Sequence, residues 1–103
     1  MQLNIRTYDR LDFQTKDYMD SGTQALVKFD NGFGASIIQD GRAYGGLELA
    51  VLSNFAKGTW EITYSTNITN DVEGYLIPDD VTDLLQRIAT LSKDGIEPVE
   101  PSN

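Results

Sequence analysis

Apolar and polar residues alternate in several short stretches along the first two thirds of the chain. A period of two is typical of β-strands, because successive side chains of a strand point to opposite faces of a sheet. The pattern predicts strands at 3–8, 23–29, 33–37, 47–53 and 60–65. The stretch 47–53 is apolar on both of its sides, which indicates a central strand that is covered on both faces.

The residues DNGFG at 30–34 separate the second and third predicted strands. Asn-Gly is typical of a tight β-hairpin, because both residues tolerate a positive φ. A phosphate-binding Gly-x-Gly should open a helix directly, whereas here the run SII leads to another turn, QDG. We therefore predict a hairpin at this position, and a second hairpin formed by the last two predicted strands.

Near the carboxyl end, the spacing of the apolar residues changes from that of a strand to that of a helix. The apolar residues fall on one stripe at i, i+3, i+4, i+7 and i+10, namely Val81, Leu84, Leu85, Ile88 and Leu91. Pro78 and the acids after it suit the first turn, and Gly95 suits a C-terminal stop. These features predict an amphipathic helix at 79–92.

Together the elements predict an α+β fold. We expect a twisted antiparallel sheet of four to five strands, including the two hairpins, with the C-terminal helix packed on one face. A chain of 103 residues has the size of one domain. We place that domain at 1–95 and a flexible acidic tail at 96–103, with the polar stretches 12–22 and 66–76 as irregular connections.

Composition excludes several kinds of chemistry. The chain has neither cysteine nor histidine, so it lacks disulfides, thiolate ligands, thiol nucleophiles and the commonest general base. Its acids do not follow the spacing of a calcium loop. We therefore expect no enzymatic activity, no metal and no cofactor. The N-terminus does not resemble a signal peptide and no stretch is long enough to span a membrane, which predicts a cytoplasmic protein.

Negative charge is concentrated near the carboxyl end. The net charge is −8, and residues 71–103 contribute −6 of it. Such a surface disfavours direct contact with nucleic acid and suits a basic protein partner. The predicted partner-binding residues are Asp71, Glu73, Asp79, Asp80 and Asp83. The same carboxylates would also serve solubility, or imitate the phosphates of a duplex, and the sequence does not decide between these roles.

A second hypothesis concerns the two loops at 40–46 and 66–74. Aromatic residues in loops are common in recognition, whereas Trp60 and Tyr64 have strand spacing and are expected in the core. The loops could hold a nucleotide-type signalling ligand, with the protein acting as an oligomeric sponge. The residues assigned to this alternative site are Arg42, Tyr44, Gly45, Gly46 and Asn70.

Four ordered blocks, VKFDNGFGASII, YGG–LELAVL, ITYSTNITNDVEGYL and DDVTDLLQRIATL, resemble a group of small acidic bacteriophage accessory proteins. The resemblance covers residues 26–91 and includes no catalytic motif. It implies expression in the cytoplasm of a host bacterium, and a product that binds and inhibits a host protein or defence system. A homo-oligomer and a role as a minor virion or assembly component are compatible with it.

Overall fold

A computed structural model describes residues 1–15, 22–39, 46–56, 58–68 and 73–98. The strands in these ranges are β1 (Gln2–Leu3), β2 (Thr23–Lys28), β3 (Phe33–Gln39), β4 (Leu47–Ala56), β5 (Thr59–Ile62) and β6 (Glu73–Leu76). A 3-10 helix spans Tyr8–Arg10, and the α-helix α1 spans Pro78–Ala89.

The predicted α+β fold is confirmed. The strands form one sheet in the order β1-β2-β3-β4-β5, and α1 packs against one of its faces. Both predicted hairpins are present, as β2–β3 and β4–β5, with antiparallel pairing. The sheet is mixed rather than purely antiparallel, because β1 runs parallel to β2. The long connection between β1 and β2 makes a parallel return possible, since only antiparallel neighbours can be joined by a tight turn.

The first strand is much shorter than the predicted 3–8. Asn4 follows β1 with a φ of 57°, and its N–H donates to the carbonyl of Lys28. The left-handed backbone turns the chain away from the sheet, which ends the strand after two residues.

Strand β4 is shared between two partners along the same edge. Its later residues pair with β5, and its earlier residues pair with β6 through Leu47–Leu76 and Leu49–Glu73. The two paired residues of β6 are three positions apart, whereas their partners in β4 are two positions apart. Strand β6 therefore contains one extra residue, which is a β-bulge. This bulge breaks the period of two, which explains why the sequence pattern predicts an irregular segment where β6 lies.

The core lies between α1 and the odd-numbered residues of β2, β3 and β4. The five apolar residues of the predicted helical stripe are all buried there, so the amphipathic helix is confirmed. Its end differs from the predicted 92, because α1 stops at Ala89 and Thr90 is the capping residue. Gly95 has a φ of 76° in a later turn, where its N–H donates to the carbonyl of Ser92.

The expectation that Trp60 and Tyr64 lie in the core is wrong for Tyr64, which follows β5 and is 55% exposed. Trp60 is half-buried and lies over Gly34 on the face of the sheet opposite α1. Because β5 is at the edge of the sheet and α1 covers only the other face, its aromatic side cannot reach the core.

The DNGFG stretch forms the predicted hairpin turn and also holds the end of α1. Gly32 supplies the positive φ, at 86°. The amide of Asn31 donates to the carbonyls of Ile88 and Leu91 at 2.8 and 3.1 Å, and its Oδ1 accepts from the N–H of Phe33 at 3.0 Å. One side chain therefore donates to two carbonyls at the end of the helix, and the carbonyl of Ile88 also accepts from the N–H of Leu91 at 3.2 Å.

Replacing Asn31 with alanine should lower the free energy of unfolding by about 1–2 kcal/mol, because two partly buried carbonyls each lose one hydrogen bond. Asn31→Asp should cost more, although it retains the acceptor for Phe33, because a carboxylate would then face the two carbonyls. Urea unfolding of both variants measures the difference. If Asn31→Asp were as stable as the unmodified protein, the turn alone would be important and the contact with the helix would not.

No helix in the described ranges is both long enough and apolar enough to cross a membrane.

Candidate functional site

An open groove lies between α1 on one side and Ile68 and β6 on the other. It has a volume of about 330 Å³ and is lined by Ile68, Leu76, Asp80, Asp83, Leu84 and Arg87. The four helical residues follow one another at i, i+3, i+4 and i+7, so they share one face of α1. We call this feature the α1–β6 groove.

The groove has an apolar floor and a charged rim. Leu84 is buried, and Ile68 and Leu76 are partly buried against the core. Asp80 and Asp83 are exposed at the rim. An apolar floor with a few charged groups above it is the usual composition of a recognition site, because the floor provides affinity and the charges provide orientation.

Arg87 is held at one end of the groove by Glu97. Its Nε and Nη2 lie 2.9 and 2.5 Å from Oε1 of Glu97, and its Nη1 lies 3.8 Å from Oδ2 of Asp83. The N–H of Glu97 donates to Oδ1 of Asn67 at 2.9 Å. The first residues of the predicted tail 96–103 are thus attached to the domain, while residues 99–103 lie outside the described ranges. Glu97 offsets the charge of Arg87 and leaves the rim negative.

The predicted partner-binding acids differ in their roles. Asp80 accepts a hydrogen bond from the N–H of Ile77 at 3.1 Å and so caps α1. Asp79 is exposed in the first turn, and Asp83 is exposed and lies 3.8 Å from Nη1 of Arg87. The structure brings Asp80 and Asp83 together at the groove, with Asp79 beside them on the same helix. Asp71 and the side chain of Glu73 lie outside the described part of the chain.

Tyr75 is a prominent exposed residue that the sequence did not single out as a partner-binding residue. It is 86% exposed and has a φ of 57°, which a non-glycine side chain rarely adopts. It lies in the bulge of β6, directly before the groove residue Leu76. Ile77, which follows Leu76, is also exposed. A residue with a strained backbone and an aromatic ring presented to solvent costs folding free energy without a buried contact in return.

The alternative ligand site is described only at one residue. Gly46 lies against the backbone of Tyr75, and a Cβ added to Gly46 would be 2.5 Å from the Cα of Tyr75. Arg42, Tyr44, Gly45 and Asn70 lie outside the described residues. The structure therefore brings the end of the loop 40–46 next to β6. The first two residues of β6 also belong to the predicted loop 66–74.

Gly46→Ala should destabilise the protein by about 1–2 kcal/mol, because the added methyl group meets the backbone of Tyr75 and must push β6 away from β4. Gly74→Ala is the matched control. Its Cβ would meet only Cγ of Glu48, at 4.0 Å, so the cost should stay below about 1 kcal/mol. Thermal unfolding of the two variants makes the comparison. Equal losses would show that the close approach of Gly46 to Tyr75 is not important.

Within the described ranges, no three acidic residues converge closely enough to hold a metal ion. No protein-family model, no curated protein sequence and no solved structure matches this chain. The fold and the groove define a small α+β domain with an acidic, partly apolar surface beside its helix.

Proposed function

We propose that this protein is a non-enzymatic binding protein that holds a basic segment of a larger protein in the α1–β6 groove. The observation that carries the proposal is the combination of an apolar floor and a negative rim, with the exposed, strained Tyr75 directly before the groove residue Leu76 in the chain. An acidic surface that served solubility alone would need neither the apolar floor nor the aromatic ring.

Each part of the groove has a role in this proposal. An apolar side chain of the partner would pack on Ile68, Leu76 and Leu84, and burying one such side chain contributes about 1.5–3 kcal/mol. Lysine or arginine residues beside it would pair with Asp79 and Asp83. The net charge of −8 would also accelerate the encounter with a basic surface. Tyr75 would pack over the bound segment as the aromatic anchor that interfaces commonly use.

The partner is proposed to be a host bacterial protein, which is inhibited when its basic surface is occupied. The resemblance to bacteriophage accessory proteins supports this proposal, and we propose that the interaction takes place in the host cytoplasm. The absence of histidine and cysteine from the sequence supports a role in binding rather than catalysis.

Quantitative affinity capture from bacterial lysate tests the proposal. The unmodified protein should retain a basic protein, and Asp79→Lys/Asp83→Lys should retain at least tenfold less of it, because repulsion replaces two attractions. Asp80 is left unchanged, since it caps α1 and its replacement would also affect folding.

A charge-matched variant controls for the change in net charge. Glu61→Lys/Asp94→Lys alters the charge by the same amount at exposed positions outside the groove, and it should retain the partner normally. If both double variants captured equally little of the partner, the loss would be an effect of net charge alone. If both captured as much as the unmodified protein, the partner would bind outside the groove.

A nucleotide-type signalling ligand is the second candidate. The contact between Gly46 and Tyr75 supports it, because the end of the loop 40–46 lies beside β6, which begins within the loop 66–74. Phosphates prefer positive surroundings, which makes this the weaker candidate for a chain of charge −8. Thermal unfolding with cyclic dinucleotides distinguishes the two candidates. A Tm that rises with ligand concentration would favour the second, and an unchanged Tm would favour the first.

A further inference from the structure

Asn31 and Gly32 form the only Asn-Gly pair in the sequence. An asparagine in this context is especially prone to spontaneous deamidation, because glycine has no Cβ to hinder its own backbone nitrogen. The other asparagines with a following residue precede larger side chains, which hinder the reaction, namely Ile5, Phe55, Ile68 and Asp71. Chemical modification of the unfolded chain is therefore expected first at Asn31.

Deamidation at this pair proceeds through a cyclic imide. The backbone nitrogen of Gly32 gives up its proton and bonds to Cγ of Asn31, and the side-chain nitrogen leaves as ammonia. One water molecule then opens the ring. Breaking the new bond to Cγ gives aspartate, and breaking the original peptide bond gives isoaspartate, in which the backbone runs through the former side chain. The net reaction exchanges an amide and water for an acid and ammonia.

Three hydrogen bonds hold the side chain of Asn31 as the planar amide that this reaction destroys. Its nitrogen donates to the carbonyls of Ile88 and Leu91 at 2.8 and 3.1 Å, and its Oδ1 accepts from the N–H of Phe33 at 3.0 Å. Only one orientation of the amide suits these partners, since the carbonyls need a donor and the N–H needs an acceptor. The leaving nitrogen is thus the atom that the end of α1 holds.

Exclusion of water does not explain protection of the pair. Asn31 and Gly32 are only half-buried, and they line an open cleft of about 560 Å³ together with Leu91, Ser92 and Lys93. Water, which the second step consumes, is therefore available at the site in the folded protein. Protection of Asn31 depends on its hydrogen bonds rather than on burial.

We infer that Asn31–Gly32 is a latent modification site, which the end of α1 protects from deamidation and which reacts when α1 separates from the β2–β3 turn. Its rate in the folded protein then follows the fraction of molecules in which this contact is open, because local opening exposes groups without complete unfolding. The inference is independent of the function proposed for the groove.

Deamidation would also weaken the contact that prevents it. Both products lack the nitrogen that donates to Ile88 and Leu91. Aspartate places a carboxylate before the two carbonyls, and isoaspartate adds a backbone atom to the turn that the N–H of Phe29 closes on the carbonyl of Phe33 at 2.8 Å. A converted molecule should therefore open more often than an unmodified one, and each conversion is permanent.

Peptide mapping of the full chain by mass spectrometry tests the inference. Samples are kept in mildly alkaline buffer, with and without enough urea to unfold the protein, and the acid formed at Asn31 is measured over time. We expect the rate in native buffer to be at least about 100-fold lower than in urea. A native rate within about threefold of the urea rate, or above it, would overturn the inference.

Two variants separate the local contact from overall stability. Leu91→Ala removes a buried side chain beside the contact, whereas Gly46→Ala strains the opposite end of β4. A low concentration of urea, added to the more stable variant, brings both to the same global free energy of unfolding. Leu91→Ala should then deamidate at least about tenfold faster at Asn31, because it loosens the end of α1 itself.

Leu91→Val deletes less volume and takes the place of Leu91→Ala if that variant does not fold. Equal rates for the Leu91 and Gly46 variants would show that only complete unfolding exposes Asn31. That result would overturn the protective role assigned to the end of α1.

Discussion

Replacing Leu85 with alanine should lower the free energy of unfolding by about 3–4 kcal/mol. Leu85 is completely buried between α1 and the sheet, together with Ile88 and Val81 of the same helix. A helix of 12 residues is marginal by itself in water, so α1 depends on this packing for its existence as well as its position. The loss is a large part of the approximately 5–15 kcal/mol that stabilises a typical domain.

Gln86→Ala provides the matched control, because Gln86 follows Leu85 on α1 and is exposed. Its effect should lie within about 0.5 kcal/mol of zero. Chemical denaturation of both variants, followed by circular dichroism, gives the two free energies. Similar values for the two variants would mean that the buried face of α1 has been misassigned, and the groove with it.

Replacing Tyr75 with glycine should weaken binding of the captured partner about 30-fold or more, equivalent to about 2 kcal/mol, while leaving the protein at least as stable. The loss follows from removal of the aromatic ring beside the groove. Stability should be unchanged or rise by up to about 1 kcal/mol, because glycine adopts a positive φ without strain. Weaker binding together with higher stability would identify Tyr75 as a residue that is kept for function rather than for folding.

Tyr64→Gly serves as the comparison for Tyr75→Gly. Tyr64 is also largely exposed, but it follows β5 and is not next to a groove residue in the chain. Titration of each variant with the captured partner, together with thermal unfolding, provides both readouts. If Tyr75→Gly bound normally, or if both substitutions weakened binding equally, Tyr75 would not be the anchor of the site.

The sequence predicts those parts of the fold in which local pattern and tertiary environment agree. The stripe on α1 has the period of a helix and is buried along its length, and β2, β3 and β4 keep the period of two. Strand β6 was not predicted because its bulge and the left-handed Tyr75 interrupt the alternation. The parallel β1 has only two residues, too few to reveal a direction of pairing.

The sequence predicts the negative charge of the candidate site but not the shape of its groove. The acids were visible in the sequence, yet the groove needs Ile68 and Leu76 to lie beside α1, and no short-range pattern specifies that contact. Asp80 was assigned to partner binding, whereas its carboxylate also caps the helix. Asn31 was interpreted as a turn residue, and its contact with the end of α1 connects positions almost sixty residues apart.

Hydrogen exchange followed by mass spectrometry, with the captured partner absent and then present, tests most directly the claim that the α1–β6 groove is the binding surface. The account predicts slower exchange on binding at 66–68 and 75–87, with no change in β2 and β3. Slower exchange confined to β2 and β3, with the groove segments unaffected, would contradict it.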